Sequence, residues 1–310
     1  MTRTAAAAIG FLLHPREGPG GTVARAVEVA RRSGYATWTV VEDAERAAAE
    51  RLSGTDLLVT VGGDGTFLLG ARLAAPVGVP VLGVNRGQLG FLTDIELGAL
   101  PEALRLFIAG RYREQPRSML ELTVPAEEPA SPALLTALAL NEVVVKSTGT
   151  NLARLRVDAD DELLGEFDAD GVILATATGS TAYALSAGGP PVDPRVRAVL
   201  VVPLAPHAVI ARAFVLPEAV TLQVTVLRGR TFAAADGHVE VPLPEGTTLT
   251  IRPGPELRVV QVAGSTSFLG RLREKMRLGL PLKHTHDEPD GHRLRDAARA
   301  DAARPRQPRP

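Results

Sequence analysis

The sequence predicts an α/β protein in two parts, a doubly wound N-terminal domain followed by a β-rich one. Three observations carry this. The first third of the chain alternates apolar runs with helical patterns, and near residue 116 the helices give way to short β-prone runs. The apolar runs of the first part, such as LLVTV (Leu57–Val61), are continuous, as parallel strands covered on both faces require.

The elements follow in order. Ala5–Leu13 reads as a first buried strand, and TVARAVEVARRSG as a helix that ends at Gly34, a suitable C-cap. YATWTVV is a second strand, Ala44–Leu52 a short helix and LLVTV a third strand. A helix then runs from GGDGT to about Ala75, and VPVLGVN is a fourth strand ending in the loop RGQLGFLTD. A further helix spans roughly Leu97–Ala109. Strand–helix alternation of this Rossmann-like type gathers ligands at the C-terminal ends of the strands. Residues 1–116 are therefore expected to form the first domain.

Residues 117–264 form the β-rich, sandwich-like part, built from runs such as MLELTV, LALNEVVVKS, ARLRVDAD, GVILATAT, VLVVPL, VTLQVTVL, TFAAAD, TLTIRP and LRVVQV. Breaks such as DADDELLG and RPGPEL separate them. The segment 265–283, TSFLGRLREKMRLGL and its sequel, reads as a strand end plus a helix returning to the first domain. The polar tail 284–310 reads as disordered, and its three histidines match no ligand spacing, so no metal site is assigned.

Composition narrows the function. A 310-residue chain that is 45% apolar has ample core, and its net charge of −1 provides no basic field for nucleic acid. With no cysteine there is no disulfide framework, thiolate metal site or cysteine nucleophile, which fits a cytoplasmic setting. MTRTAAAAIGFLLHP reads better as a strand than as a signal peptide. Val196–Pro217 has spanning length but contains Arg197, His207, Arg212 and three prolines, so no membrane partner is expected. Only three of the 34 basic residues are lysine, and none lies near the glycine loop, which rules out a Walker-type phosphate site there.

Three stretches could carry chemistry. Gly62-Gly63-Asp64-Gly65-Thr66 follows a buried strand and opens a helix, a setting suited to phosphate. The bland alternative is that Asp64 or Thr66 merely caps that helix. DADGVILATATGSTAYALSAGGPPVDP (168–194) offers hydroxyls, backbone N–H groups and the ring of Tyr183; turn, cap and core roles explain it as well. Asn141-Glu142 could hydrogen-bond a ribose or a base edge, though such pairs are common at solvated strand ends. Asp236-Gly237-His238 is explained almost as well by turn chemistry.

Taken in order, GGDGT, ALNEVVV, DGVILATATGSTAYALSAGG and VVPLAPHAVIAR resemble the NAD kinase family over roughly residues 5–282. GGDGT alone is shared with diacylglycerol and sphingosine kinases; the Asn-Glu and GSTAY segments set NAD kinases apart. The resemblance implies transfer of the γ-phosphoryl group of ATP, or polyphosphate, to the 2′-hydroxyl of the NAD adenosine ribose. It implies Asp64 as proton acceptor, with Gly65 beside it touching NAD. Asn141, Glu142, Asp170, Thr181, Ala182, Tyr183, Ala184, Leu185 and Ser186 would hold NAD, Ala205 would line the site, and His238 stands where many members have glutamine. Ala177 replaces a proline usual in the family. Mg²⁺ or another divalent cation would come with ATP, and a homo-oligomer, dimer or tetramer, is implied. The open alternatives are a GGDGT-loop kinase acting on a lipid or sugar, and a non-catalytic NAD sensor.

A hydroxyl is a poor nucleophile while protonated, and a carboxylate within hydrogen-bond reach supplies a general base. The aspartate in a loop built for phosphate is thus expected to face the acceptor sugar while glycine N–H groups face the phosphate.

Overall fold

The computed structural model describes residues 7–41, 45–87, 90–125, 135–207 and 212–276. The first part contains β1 (Ala8–Leu13), α1 (Gly21–Arg32), β2 (Ala36–Val41), α2 (Glu45–Leu52), β3 (Thr55–Gly62) and α3 (Asp64–Ala74). It continues with β4 (Val81–Asn85), the two-residue β5 (Ile95–Glu96), α4 (Leu100–Ile108) and β6 (Tyr112–Arg117). Next come β7 (Leu120–Val124), β8 (Leu135–Ala139), β9 (Glu142–Ser147), β10 (Ala153–Ala159), β11 (Glu162–Ala169), β12 (Gly171–Thr176) and the one-turn α5 (Tyr183–Ser186). The rest is β13 (Ala198–Leu204), β14 (Phe214–Pro217), β15 (Leu222–Arg228), β16 (Thr231–Ala235), β17 (Val239–Leu243), β18 (Thr248–Pro253), β19 (Leu257–Val262) and α6 (Phe268–Met276).

Among the described residues the strands form three sheets. The first has the order β2-β1-β3-β4-β19-β6, with β5 beside β4, and β1 to β4 run parallel. Helices cover both faces. Val23, Ala26 and Ala30 of α1 and Leu100, Leu104 and Phe107 of α4 pack on Phe11, Val59 and Leu82. On the other face, Ala48 and Leu52 of α2 and Phe67 and Ala71 of α3 pack on Leu12, Leu58 and Val81. Chain connections diverge between β1 and β3, since β1 leads outward to β2 and β3 leads the other way to β4. That divergence opens a crevice at the strand C-termini, the usual ligand position in such sheets.

The other two sheets, β11-β10-β15-β18-β7-β8 and β14-β13-β12-β9-β16-β17, are antiparallel. They share one core, in which Leu122, Leu155, Val157 and Val224 of one sheet meet Val143, Val145, Val172 and Leu174 of the other. The opposite face of the third sheet carries Val144, Ile173, Ala175, Leu200 and Val202, and Ala184 of α5 packs there.

The strand connectivity departs from the sequence reading in two places. LRVVQV, assigned to the β-rich stretch 117–264, is β19, and it lies between β4 and β6 of the first sheet. The return expected of residues 265–283 is thus already made by β19. DADDELLG is not simply a break. Asp160 and Asp161, with φ of 48° and 67°, form a tight hairpin turn, and Glu162 onward continues as β11. The helix expected after the last strand is α6, which from Leu269 on belongs to a unit of its own. The tail 284–310 lies outside the described residues.

Candidate active site

The site has two halves. In the first, β3 ends at Gly62, Gly63 precedes α3, and Asp64 is the first residue of that helix. Asp64 is half-buried, and no side chain caps the helix N-terminus. The carboxylate instead turns to a loop 27 and 28 residues away. Phe91 N–H donates to its Oδ2 at 3.1 Å, and Leu92 N–H donates to its Oδ1 at 3.2 Å. A Cβ on Gly90 would meet Asp64 Oδ1 at 2.0 Å, so glycine at 90 is what lets the loop lie this close. Two N–H groups occupy two of the roughly four acceptor directions of a carboxylate, which fixes its orientation and leaves acceptor capacity. The capping alternative therefore does not describe Asp64.

Beside it lies the crevice at the C-terminal edge of the parallel strands, a cleft of 470 Å³ lined by His14, Arg16, Gly62, Gly63, Asn85 and Arg86 among others. Arg86 pairs with Glu17 at 2.7 Å, and the Asn85 side chain is bound to the backbone of Gly87 at both ends. The cationic side chains at this crevice are thus arginines, Arg16 and the Glu17-paired Arg86.

The second half forms at one end of the third sheet. Asp236 accepts three backbone N–H bonds, from Leu140 and Asn141 at 2.8 Å each and from Glu142 at 3.1 Å. Its backbone has φ of 49°, which the Asp-Gly turn accommodates. Burial pushes the Asp236 carboxyl up, while the three N–H groups and the charge of Arg72 on α3 act against the shift. Glu142 is pushed up to about 7, first by burial and then by the neighbouring Asp236 charge; the N–H of Tyr183 donates to it and offsets part of this. Glu142 thus titrates near neutrality.

The small-residue stretch wraps over this pair. Thr176 Oγ1 donates to Leu140 O and accepts the N–H of Gly179. A Cβ on Gly179 would come within 2.0 Å of Asn141 O, so the turn and the Asn-Glu backbone lie in direct contact. Ser180 Oγ donates to Ala177 O at 2.7 Å and accepts the N–H of Val192 at 2.8 Å. Alanine at 177 leaves this turn hydrogen-bonded. Thr181 is buried, Ala182 and Leu185 are partly covered, and Tyr183 is 37% exposed, beside exposed Ser186. Ala184 is fully buried in the core, so its side chain cannot touch a ligand. His238 is exposed on the Asp236 turn.

Asn141, Glu142, the 181–186 segment and His238 are thus brought to one end of the third sheet. Asp64 is linked to this half indirectly: Phe67 of its helix, Leu92 of the loop that binds it and Leu140 share one core cluster, and Arg72 of the same helix acts electrostatically on Asp236. Gly65 is exposed next to Asp64. Asp170 and Ala205 are not brought there. They flank the far end of β12, where Gly171 pairs with Leu204, while Glu142 pairs with Ala175 at the near end. Six strand residues separate the two ends, about 17 Å at ~3.4 Å per residue. Sequence reasoning missed the Gly90–Leu92 loop and the role of Asp236. A glycine between apolar residues marked the first only weakly, and for the second the partners lie 94–96 residues away.

A glycine turn with an oriented carboxylate beside a switch-point crevice, and an amide–carboxylate pair under a hydroxyl-rich turn, are the features of a phosphotransferase that handles a nucleotide. The chain matches the ATP-NAD kinase N-terminal domain over residues 2–112 and the ATP-NAD kinase C-terminal domain over residues 140–262. It is 42% identical over 234 residues to an NAD kinase of Heliobacterium modesticaldum, covering 74% of this chain and 81% of that one. An NAD kinase of Moorella thermoacetica is 39% identical over 236 residues, 75% of this chain and 74% of the relative. The fold matches that of yeast NADH kinase complexed with NADH, with a TM-score of 0.72 at 24% identity over 92% of this chain and 91% of that one. It also matches an NAD kinase from Archaeoglobus fulgidus in complex with ATP, with a TM-score of 0.68 at 24% identity over 87% of this chain and 98% of that one. The chain belongs to the NAD kinase family.

Proposed function

We propose that the chain moves the γ-phosphoryl group of ATP onto the 2′-hydroxyl of the adenosine ribose of NAD, with Asp64 as general base. The 2′-oxygen attacks the γ-phosphorus, its proton passes to the Asp64 carboxylate, and the bond to the β-phosphate oxygen breaks to release ADP. The observation that carries this is the half-buried carboxylate held by Phe91 and Leu92 N–H groups at the start of α3, next to the glycine turn. On this reading the donor phosphates lie in the crevice, near the backbone of Gly62 and Gly63 and the guanidinium groups of Arg16 and Arg86. NAD lies across Asn141, Glu142 and residues 181–186, with the Tyr183 ring as a stacking face, Gly65 beside it and His238 at the rim.

The divalent cation enters as part of the nucleotide substrate, MgATP. Among the described residues no cluster of three or more His, Asp and Glu could hold a metal ion. The cation would screen charge between the phosphates and Asp64. Asp170 and Ala205 lie at the far end of β12 from Glu142, and a second copy of the chain that presents them here would complete the site, so a homo-oligomer belongs to the same reading. No helix among the described residues is long and apolar enough to cross a membrane. A cytoplasmic setting belongs to the same reading.

The test is formation of NADP⁺ from NAD⁺, ATP and Mg²⁺, followed with an NADP-specific dehydrogenase. NADH and polyphosphate are tried as alternative substrates, and diacylglycerol and a sphingoid base as alternative acceptors. NADP⁺ formation is the expected result. Phosphorylation of a lipid in its place, or NAD binding without turnover, would overturn the proposal.

A further inference from the structure

A row of polar side chains joins the two halves of the site through the first sheet. Arg117, at the end of β6, donates from Nη1 to Thr178 Oγ1 at 3.4 Å and from Nη2 to Gln115 Oε1 at 3.1 Å. Gln261 of β19 donates to the same Gln115 oxygen at 2.8 Å and to Asp94 Oδ2 at 3.3 Å. One end of the row is therefore the turn that wraps the Asn-Glu pair. The other end is Asp94, two residues beyond the Phe91–Leu92 segment that holds Asp64, and its own N–H is fixed to Gly83 O.

The row is a consequence of strand register. In the antiparallel β6–β19 pair, Leu257 lies opposite Arg117, Val259 opposite Gln115 and Gln261 opposite Arg113. Alternation by two puts Gln115, Arg117 and Gln261 on one face. Leu257 and Val259, on that face too, share the core cluster of Phe67 and Leu69 of α3, so the row runs on the side of the sheet that carries the Asp64 helix.

Its ends are charged and hidden, Arg117 and Asp94 each being 6% exposed. Arg117 also acts electrostatically on Asp193, next to the Val192 backbone that binds Ser180. A buried ionic arrangement is seldom a net gain in stability over apolar packing of the same volume. Stability alone is therefore a poor account of it.

We propose that Gln115, Arg117 and Gln261 are positioning residues that hold the NAD-side turn in register with the loop orienting Asp64. This rests on the NAD kinase reading. The residues touch neither substrate; they set where the acceptor hydroxyl lies relative to the carboxylate. A displacement of about 1 Å at a reacting centre can lower a rate by about 10²-fold.

The experiment compares full-length wild type with Gln115→Met, Gln115→Glu and Gln261→Met, each also combined with Asp64→Asn. Glutamate at 115 still accepts from Arg117 and Gln261, whereas methionine does not. Gln115→Met and Gln261→Met should lower kcat by about tenfold or more, with KM for NAD and ATP within about threefold of the parent. Gln115→Glu should recover most of the rate. In the Asp64→Asn background, Gln115→Met should change the residual rate by less than about twofold, because the alignment it disturbs serves Asp64. Gln261→Met breaks the row at its other joint and tests the same claim should Gln115→Met fold poorly. Unchanged kcat with only a lowered Tm, a Gln115→Glu variant as slow as Gln115→Met, or full multiplication of the losses with Asp64→Asn would each overturn the inference. Wild type that makes no NADP⁺ would overturn the reading beneath it, and would do so before any variant is compared.

Discussion

Asp64 and Asp236 solve the same local problem in opposite ways. Each carboxylate gathers backbone N–H groups from a distant loop, 27–28 residues away for Asp64 and 94–96 for Asp236. Asp64 takes one N–H on each oxygen and stays half-buried, one residue beyond the glycines that line a crevice. Asp236 takes three, is pushed up by burial, and spends its acceptor capacity on shaping the Asn141–Glu142 backbone. Bonding pattern and burial, not residue type, separate a carboxylate that can do chemistry from one that builds the place where chemistry occurs.

Exchanging these roles by mutation is the direct way to break the comparison. The largest effect is expected at Asp64. Asp64→Asn keeps the volume and removes the base, and should lower kcat by about 10²–10⁴-fold, while its amide nitrogen meets one of the two N–H donors and costs about 1 kcal/mol in urea unfolding. Asp236→Ala should act first on stability. It leaves three N–H groups without their acceptor, and urea denaturation should show a loss of about 3 kcal/mol.

Glu142 sharpens the comparison through pH. Its carboxyl is pushed up from an ordinary 4.5 to about 7, so folding favours the protonated form. The stabilisation is full below pH 4.5 and disappears as pH rises through 7. Glu142→Gln should therefore reduce the stability lost between pH 5 and pH 8 by on the order of 2 kcal/mol, measured by urea unfolding at both values. Asp236 shifts in the same direction and leaves some pH dependence behind. The smallest expected effect is Gly90→Ala. The new methyl group displaces the Asp64 carboxylate from the Phe91 and Leu92 N–H groups, so kcat should fall about tenfold with a loss of about 1 kcal/mol in unfolding free energy.

Much of this was legible in the sequence, for local reasons. The strands of the first domain are continuous apolar runs because both their faces are covered, and GGDGT sits at the end of one of them. The strand Tyr112–Arg117 was not legible. It is a polar edge strand, YREQPR, with a proline that only an edge tolerates. Its neighbour β19 looked like any other β-rich run, because nothing in a strand states which sheet it will join. The same limit governs the site. Asp170 stands nine residues before the GSTAY segment in the chain, yet a six-residue strand carries the two to opposite ends of a sheet. Asp236 is distant in the chain from the Asn-Glu pair and sits directly beneath it.

The most direct test of the central claim is a crystal structure of the chain with NAD and a non-hydrolysable ATP analogue, read at one distance. The account predicts an Asp64 carboxylate oxygen within hydrogen-bond reach of the adenosine 2′-oxygen, about 2.6–3.2 Å or through one water, on the side away from the γ-phosphate. A 2′-oxygen farther off than one water, or facing a different carboxylate, would contradict it.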